Sequence, residues 1–273
     1  MTLTKSKGFS AILLSLVMVV PLSVQATVVE VRTVLGNFEV NLYDETTPKT
    51  VENFLSYVNS GEYANSVVHR TQANFVMQAG GFTYNNVFPP TAIQTSAAVE
   101  NEPALSNVRG TIAMAKVGGN VNSATSQWFI NVSNNAANLD VQNGGFTVFG
   151  QVLGNGMEIV DAIANTPNFD YGAPFTTIPL RDFTSTDKSA GTVPTDSNLV
   201  IITDIVITND AVVTNPSLTP AANTLLAAST ENVSIDSDSC GSRATLLVSL
   251  LAAVVCSRRL HNFLISNRQS QVC

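Results

Sequence analysis

The chain has 273 residues, 45% of them apolar and 12% charged, with 13 Lys and Arg against 20 Asp and Glu. That length and apolar content allow one large domain or two small ones and exclude a disordered, collagen-like or low-complexity chain. All 20 acids fall between Glu30 and Asp238 beside only seven of the bases, so the middle offers no basic face to nucleic acid.

Lys5 and Lys7 precede the apolar run from Phe9 to Val20, and Pro21 and Val24-Gln25-Ala26 follow. A basic start, a short apolar stretch and a small-residue exit predict a secretory signal peptide over 1–26. The run is short for about 30 Å of hydrocarbon, which favours removal after Ala26 over a retained anchor. Thr27–Val34 and Phe38–Tyr43 are predicted strands around a Gly36-Asn37 turn. Phe38, Val40 and Leu42 alternate with Glu39, Asn41 and Tyr43, so one face is buried and the other wet. A helix follows, capped by Thr46 or Thr47, with Pro48 in its first turn and Gly61 at its end. Val51, Phe54, Leu55 and Val58 give it one apolar stripe.

Further strands are predicted at Val67–Arg70, Phe75–Gln78, Thr111–Ala115, Gln127–Val132, Thr147–Val152 and Asn198–Thr208, and a second helix at Met157–Asn165. The stretch 166–197 reads as a long loop. About eight strands, two helices and no βαβ rhythm predict a mainly β fold, a closed antiparallel barrel with helices over its ends. This domain occupies 27–208. An Asn-, Thr-, Ser- and Pro-rich linker follows over 209–239, then a tail over 240–273. The tail holds all three cysteines, so no disulfide framework supports the middle. Its uncharged stretch Ala244–Ser257 ends at Arg258-Arg259 and reaches about 21 Å as a helix. The basic pair fits a stop-transfer segment, and the pattern loosely resembles sorting tails of Gram-negative surface proteins. It predicts membrane tethering or processed surface display, in the periplasm or at the cell surface.

Between 27 and 208 there is one histidine, His69, and no cysteine. A cysteine nucleophile and a His-rich zinc site are therefore excluded, and neither a G-x-S-x-G elbow nor a Walker loop occurs. No metal or cofactor is expected. Acid pairs such as Glu100/Glu102 are read as solvated turn residues rather than a glycosidase pair. What remains suits binding and polarising. His69-Arg70 leads through a polar turn to Phe75-Val76-Met77-Gln78 and the pair Gly80-Gly81. Thr111–Ala115 runs into Lys116 and a Gly-rich loop, and Ser126–Asn131 follows. On a strand, Gln127 and Phe129 share one face and Trp128 and Ile130 the other, so one face serves a ligand while the opposite one fills the core.

The blocks Arg109–Ala115 and Ser123–Asn131 resemble the cyclophilin family of peptidyl-prolyl isomerases, in particular its bacterial periplasmic branch. The resemblance runs from about Val28 to Thr208 and implies an eight-stranded barrel capped by two helices. It implies that Arg70 is the catalytic arginine and that Phe75, Val76, Phe129 and Leu139 form a socket for the proline ring. Phe146 closes that socket, where many relatives carry His and the bacterial branch Tyr. Gln78 bonds the substrate backbone or holds Arg70, the backbone of Lys116 pairs with the peptide, and Ala115 and Gln127 line the groove. His69 is read as structural and Trp128 as core. Asn138 stands where relatives carry Trp or another aromatic, which implies weak binding of cyclosporin. The implied partners are proline-containing polypeptides met by a monomer. The alternative is a tethered peptide-binding module with incidental turnover.

Overall fold

The computed structural model describes residues 27–209 and 218–226. The signal peptide expected over 1–26, the tail over 240–273 and most of the linker lie outside the described residues. The hairpin expected at the start is present as β1 (Val28–Thr33) and β2 (Gly36–Leu42), paired antiparallel with Thr33 opposite Gly36. The helix α1 (Pro48–Ser60) ends at Gly61 with φ +74°, a left-handed cap that favours glycine.

Its beginning differs from expectation. The Thr47 hydroxyl makes no capping bond and turns instead toward the Tyr43 carbonyl at 3.4 Å. The carboxylate of Glu102, remote in sequence, takes the free N–H of Thr50 at 2.9 Å and that of Lys49 at 3.3 Å. A negative group there also suits the positive end of the helix dipole. Glu100 pairs with Lys49, so neither acid is left to act with the other.

The short strands β3 (Ser66–Val67), β4 (Arg70–Gln72), β5 (Val76–Ala79), β6 (Phe82–Thr83) and β7 (Thr91–Ala92) come next. Then follow β8 (Thr111–Met114), β9 (Trp128–Asn131), the one-turn helix α2 (Ala136–Leu139), β10 (Val148–Val152) and α3 (Gly156–Ala164). The chain continues through β11 (Asn168–Phe169), β12 (Ile178–Pro179) and α4 (Ser185–Ser189) to β13 (Ile201–Asn209). The main sheet runs β4-β5-β9-β8-β10-β2-β1-β13-β3-β6-β7. The strand expected at Val67–Arg70 is bent at Val68-His69, where the Val68 N–H bonds Val200 and the His69 N–H bonds Gln78. Segment 66–72 thus pairs with β13 at its start and with β5 at its end. Pairing therefore returns on itself after eight strand segments, which leaves no long free edge.

One apolar cluster fills the interior, where Val29, Val31, Val40 and Leu42 meet Val51, Phe54 and Tyr57 of α1 and Val160 and Ile163 of α3. A second cluster lies on the opposite side of β5, β8 and β9 and is described below. A third corrects the expectation for 166–197. That stretch holds the β11–β12 hairpin and α4, and buries Phe175, Ile178, Leu180 and Phe183 against Val67 and Ile201. Its apolar residues follow neither a helical nor a strand period because they reach the barrel wall from an irregular excursion. The linker is also not wholly a linker, since Ala222 pairs with Leu105 across an isolated bridge.

Candidate active site

β4, β5, β9 and β8 lie side by side, and their register fixes the site. Arg70 stands opposite Gln78, Gln78 opposite Phe129, and Phe129 opposite Ala113. Cross-strand partners share a face, so these four residues form one row. The alternation continues along each strand. Val76 and Phe129 face the second cluster, whereas Met77, Ala79, Trp128 and Ile130 face the interior.

The Arg70 guanidinium is fixed by amides. Nη1 donates to Gln78 Oε1 at 3.3 Å and Nη2 to Gln72 Oε1 at 2.6 Å. Gln78 Nε2 donates in turn to Gln127 Oε1 at 2.9 Å, which sets the sense of the Gln78 amide. Of the two roles expected for Gln78, this geometry serves the holding of Arg70. The close approach of Gln127 needs Gly81, where a Cβ would meet Gln127 Cδ at 2.8 Å. Partial burial lowers the Arg70 pKa from its ordinary value, but a guanidinium starts so high that it stays charged.

Beside this cation lies an apolar floor of Phe75, Val76, Ala115, Phe129, Leu139 and Phe146, joined by Tyr43, Leu105, Ala113 and Val148. The Arg70 guanidinium carbon lies 5.9 Å from the Phe75 ring centre, and Phe129 and Phe146 meet edge to face at 5.8 Å. The Lys116 ammonium donates to the carbonyls of Asn143 and Gly145 and sits 4.9 Å from the Phe146 ring. Burial lowers its pKa to about 8. The side chain of Lys116 therefore fixes the loop that presents Phe146, a role separate from the peptide pairing expected of its backbone. All ten residues singled out from the sequence come together here, while Asn138 is exposed on α2.

Sequence reasoning missed a buried polar net beneath the floor. Asp140 accepts from the Ser106 hydroxyl at 2.5 Å and from the backbone N–H of Asn107 at 2.7 Å. Asn107 accepts from Asn131, and Asn135 donates to Asn131 Oδ1 and to the Phe75 carbonyl. These bonds tie Phe75 and Leu139 to β9. Its one legible signal is the density of Asn and Asp next to apolar strands. The 166–197 excursion braces the other side, where Thr71, next to Arg70, donates its N–H to the Thr177 carbonyl and its hydroxyl to Asn168.

His69 is buried against Phe82. Desolvation lowers its pKa to about 4, outweighing the opposing pull of the polar groups of Val67 and Gln127 nearby. The unfolded chain titrates near 6.5, so between the two values the unfolded state binds the proton that the folded state refuses. The His69 contribution to stability is therefore full above about pH 6.5 and falls by about 3 kcal/mol as the pH drops toward 4. Urea midpoints near pH 7 and near pH 4.5 test this. An equal fall in His69→Asn would remove the histidine as its cause.

The model of the family described as cyclophilin type peptidyl-prolyl cis-trans isomerase matches residues 28–184. A peptidyl-prolyl cis-trans isomerase of Acinetobacter baylyi is 45% identical over 149 residues, 54% of this chain and 76% of the relative. Peptidyl-prolyl cis-trans isomerase A of Dickeya dadantii is 39% identical over 158 residues, 57% of this chain and 80% of the relative. Peptidyl-prolyl cis-trans isomerase B of Escherichia coli is 38% identical over 136 residues, 47% and 78% of the two chains.

Proposed function

The chain belongs to the cyclophilin-type peptidyl-prolyl cis-trans isomerases, and on that premise we propose that it uses Arg70 to stabilise the twisted prolyl bond of exported or surface proteins, acting as a monomer. The barrier to rotation is about 18–20 kcal/mol because the C–N bond has partial double-bond character. Twisting breaks that conjugation and leaves a lone pair on the proline nitrogen. A guanidinium carries only donors and does not titrate, so it can bond that nitrogen throughout the reaction. Only the twisted state offers the acceptor, so the bond lowers the barrier rather than merely holding substrate. The carrying observation is the row of Arg70, Gln78 and Phe129, which sets a fixed cation beside an apolar floor. An isomerisation assay on wild type and Arg70→Ala tests it.

One contact supports the exported setting. The backbone N–H of Thr27 donates to Asp44 Oδ2 at 2.8 Å, and the Thr27 hydroxyl donates to Oδ1 at 2.8 Å. Cleavage after Ala26 would turn that N–H into an ammonium already facing a carboxylate. Mass spectrometry of the native chain tests the reading, with Thr27 expected as first residue. A chain that keeps residues 1–26 in its home cell would overturn it.

The exposed Asn138 beside the buried Leu139 gives a separate expectation. Cyclosporin binds weakly to the wild type, and Asn138→Trp tightens it by roughly tenfold or more, since buried Trp anchors commonly contribute 2 kcal/mol or more at interfaces. Titration of both proteins decides, and equal affinities would remove Asn138 as the cause.

A further inference from the structure

The segment 218–226 lies beyond the barrel, and one side chain ties it to the wall of the site. Asn223 is half-buried between the exposed neighbours Ala222 and Thr224. Its Nδ2 donates to the Asp140 carbonyl at 2.9 Å and to the Pro103 carbonyl at 3.2 Å, and its backbone N–H donates to Ala104 at 2.9 Å. Its Oδ1 accepts from the N–H groups of Leu225 and Leu226. The Ser106 N–H bonds the Ala221 carbonyl at 2.8 Å, and Ala222 bridges to Leu105, whose side chain is part of the apolar floor.

These contacts meet at the base of the loop that carries Leu139 and Phe146. The Phe146 N–H closes that loop onto the Leu139 carbonyl at 2.8 Å. Gly145, in a left-handed conformation at φ +73°, sits so close that a Cβ there would lie 2.7 Å from the Asp140 carbonyl and 3.4 Å from Asn223 Nδ2. Lys116 holds the same loop through the carbonyls of Asn143 and Gly145. The loop is therefore pinned by an ammonium at Asn143 and Gly145 and by one amide at Asp140.

We propose that Asn223 is a positioning residue that clasps the Leu139–Phe146 wall of the proline socket, so that the segment after the barrel sets how well the socket holds its ring. This rests on the reading of that floor as the substrate site. The amide bridges two stretches, 103–106 and 140, that no covalent neighbour joins. Asp has the same shape and keeps the acceptor for Leu225 and Leu226, but it has no donor for the two carbonyls.

The test compares the full chain with Asn223→Ala, Asn223→Asp, Leu225→Ser and Arg70→Ala. Exchange NMR on an Ala-Pro peptide gives kcat and KM, and calorimetry gives the thermal midpoint. Asn223→Ala and Asn223→Asp are each expected to raise KM by roughly fivefold, the factor that a lost hydrogen bond of this kind represents. Their kcat stays near wild type and folding persists at the assay temperature. Leu225→Ser, on the exposed side of the same segment, changes neither constant. A wild-type KM in Asn223→Asp, with Arg70→Ala inactive, would overturn the clasp alone. An Arg70→Ala protein as active as wild type would overturn the reading of the site and the clasp with it.

Discussion

Replacing Arg70 by Ala lowers kcat/KM by about two to three orders of magnitude, the usual cost of removing one fixed donor from a transition state. The loss falls on kcat, because the bond to the proline nitrogen forms only when the peptide twists. Folding is little affected. Arg70 is half-buried, and the partners it leaves, Gln72 and Gln78, are themselves partly open to solvent. Arg70→Lys recovers only a small part. An ammonium is a point charge on a flexible stem and cannot bond Gln72, Gln78 and the substrate in one plane. A stopped-flow isomerisation assay decides the matter. An Arg70→Ala protein with more than about a third of wild-type activity would show that the guanidinium does not supply the stabilisation argued from its kcal/mol scale.

Neighbouring residues on β9 give the second large effect, with opposite consequences. Trp128 is fully buried in the barrel and meets Phe54 edge-on at 6.4 Å. Trp128→Ala should destabilise the fold by about 3–5 kcal/mol, the range for emptying a large aromatic site. Protein that remains folded keeps its kcat/KM, since the side chain lies across the sheet from the site. Trp128→Phe restores most of the loss, because the indole Nε1 makes no hydrogen bond within the described residues and its removal forfeits none. Phe129→Leu does the reverse. A swap of similar volume costs less than about 1.5 kcal/mol of stability. It loses the edge-to-face contact with Phe146, which lowers kcat/KM by roughly two- to tenfold, as a ring pair worth 0.5–1.5 kcal/mol implies. Urea unfolding beside the activity assay separates the two. A Trp128→Ala variant that stays as stable as wild type but loses activity would reverse the assignment of faces.

Much of this was legible because period carries direction. The alternation in Gln127–Ile130 places Phe129 on one face and Trp128 on the other without any tertiary information, and the clusters divide there. Helix α1 was readable from Pro48, its apolar stripe and Gly61. Its cap was not. Glu102 reaches the helix start from 52 residues away along the chain, and a bond between remote segments leaves no local pattern. The same reason hid the fold of 166–197, whose phenylalanines answer to the barrel wall rather than to any period of their own. It also hid the net of Asn107, Asn131, Asn135 and Asp140, where each residue by itself reads as a turn polar group.

The sequence by itself determined the mainly β fold, the family, the acidic and cysteine-free middle, and which side chains share a strand face. Composition, alternation and ordered blocks are properties of the chain read along its length. Only the tertiary structure decided how segment 66–72 joins both ends of the sheet, which amides hold Arg70, and that Lys116 and Asn223 pin one loop at different carbonyls. Those outcomes depend on which distant groups become neighbours when the apolar faces are buried. Burial selects partners by distance and geometry, and neither is written in the spacing of residues along one strand.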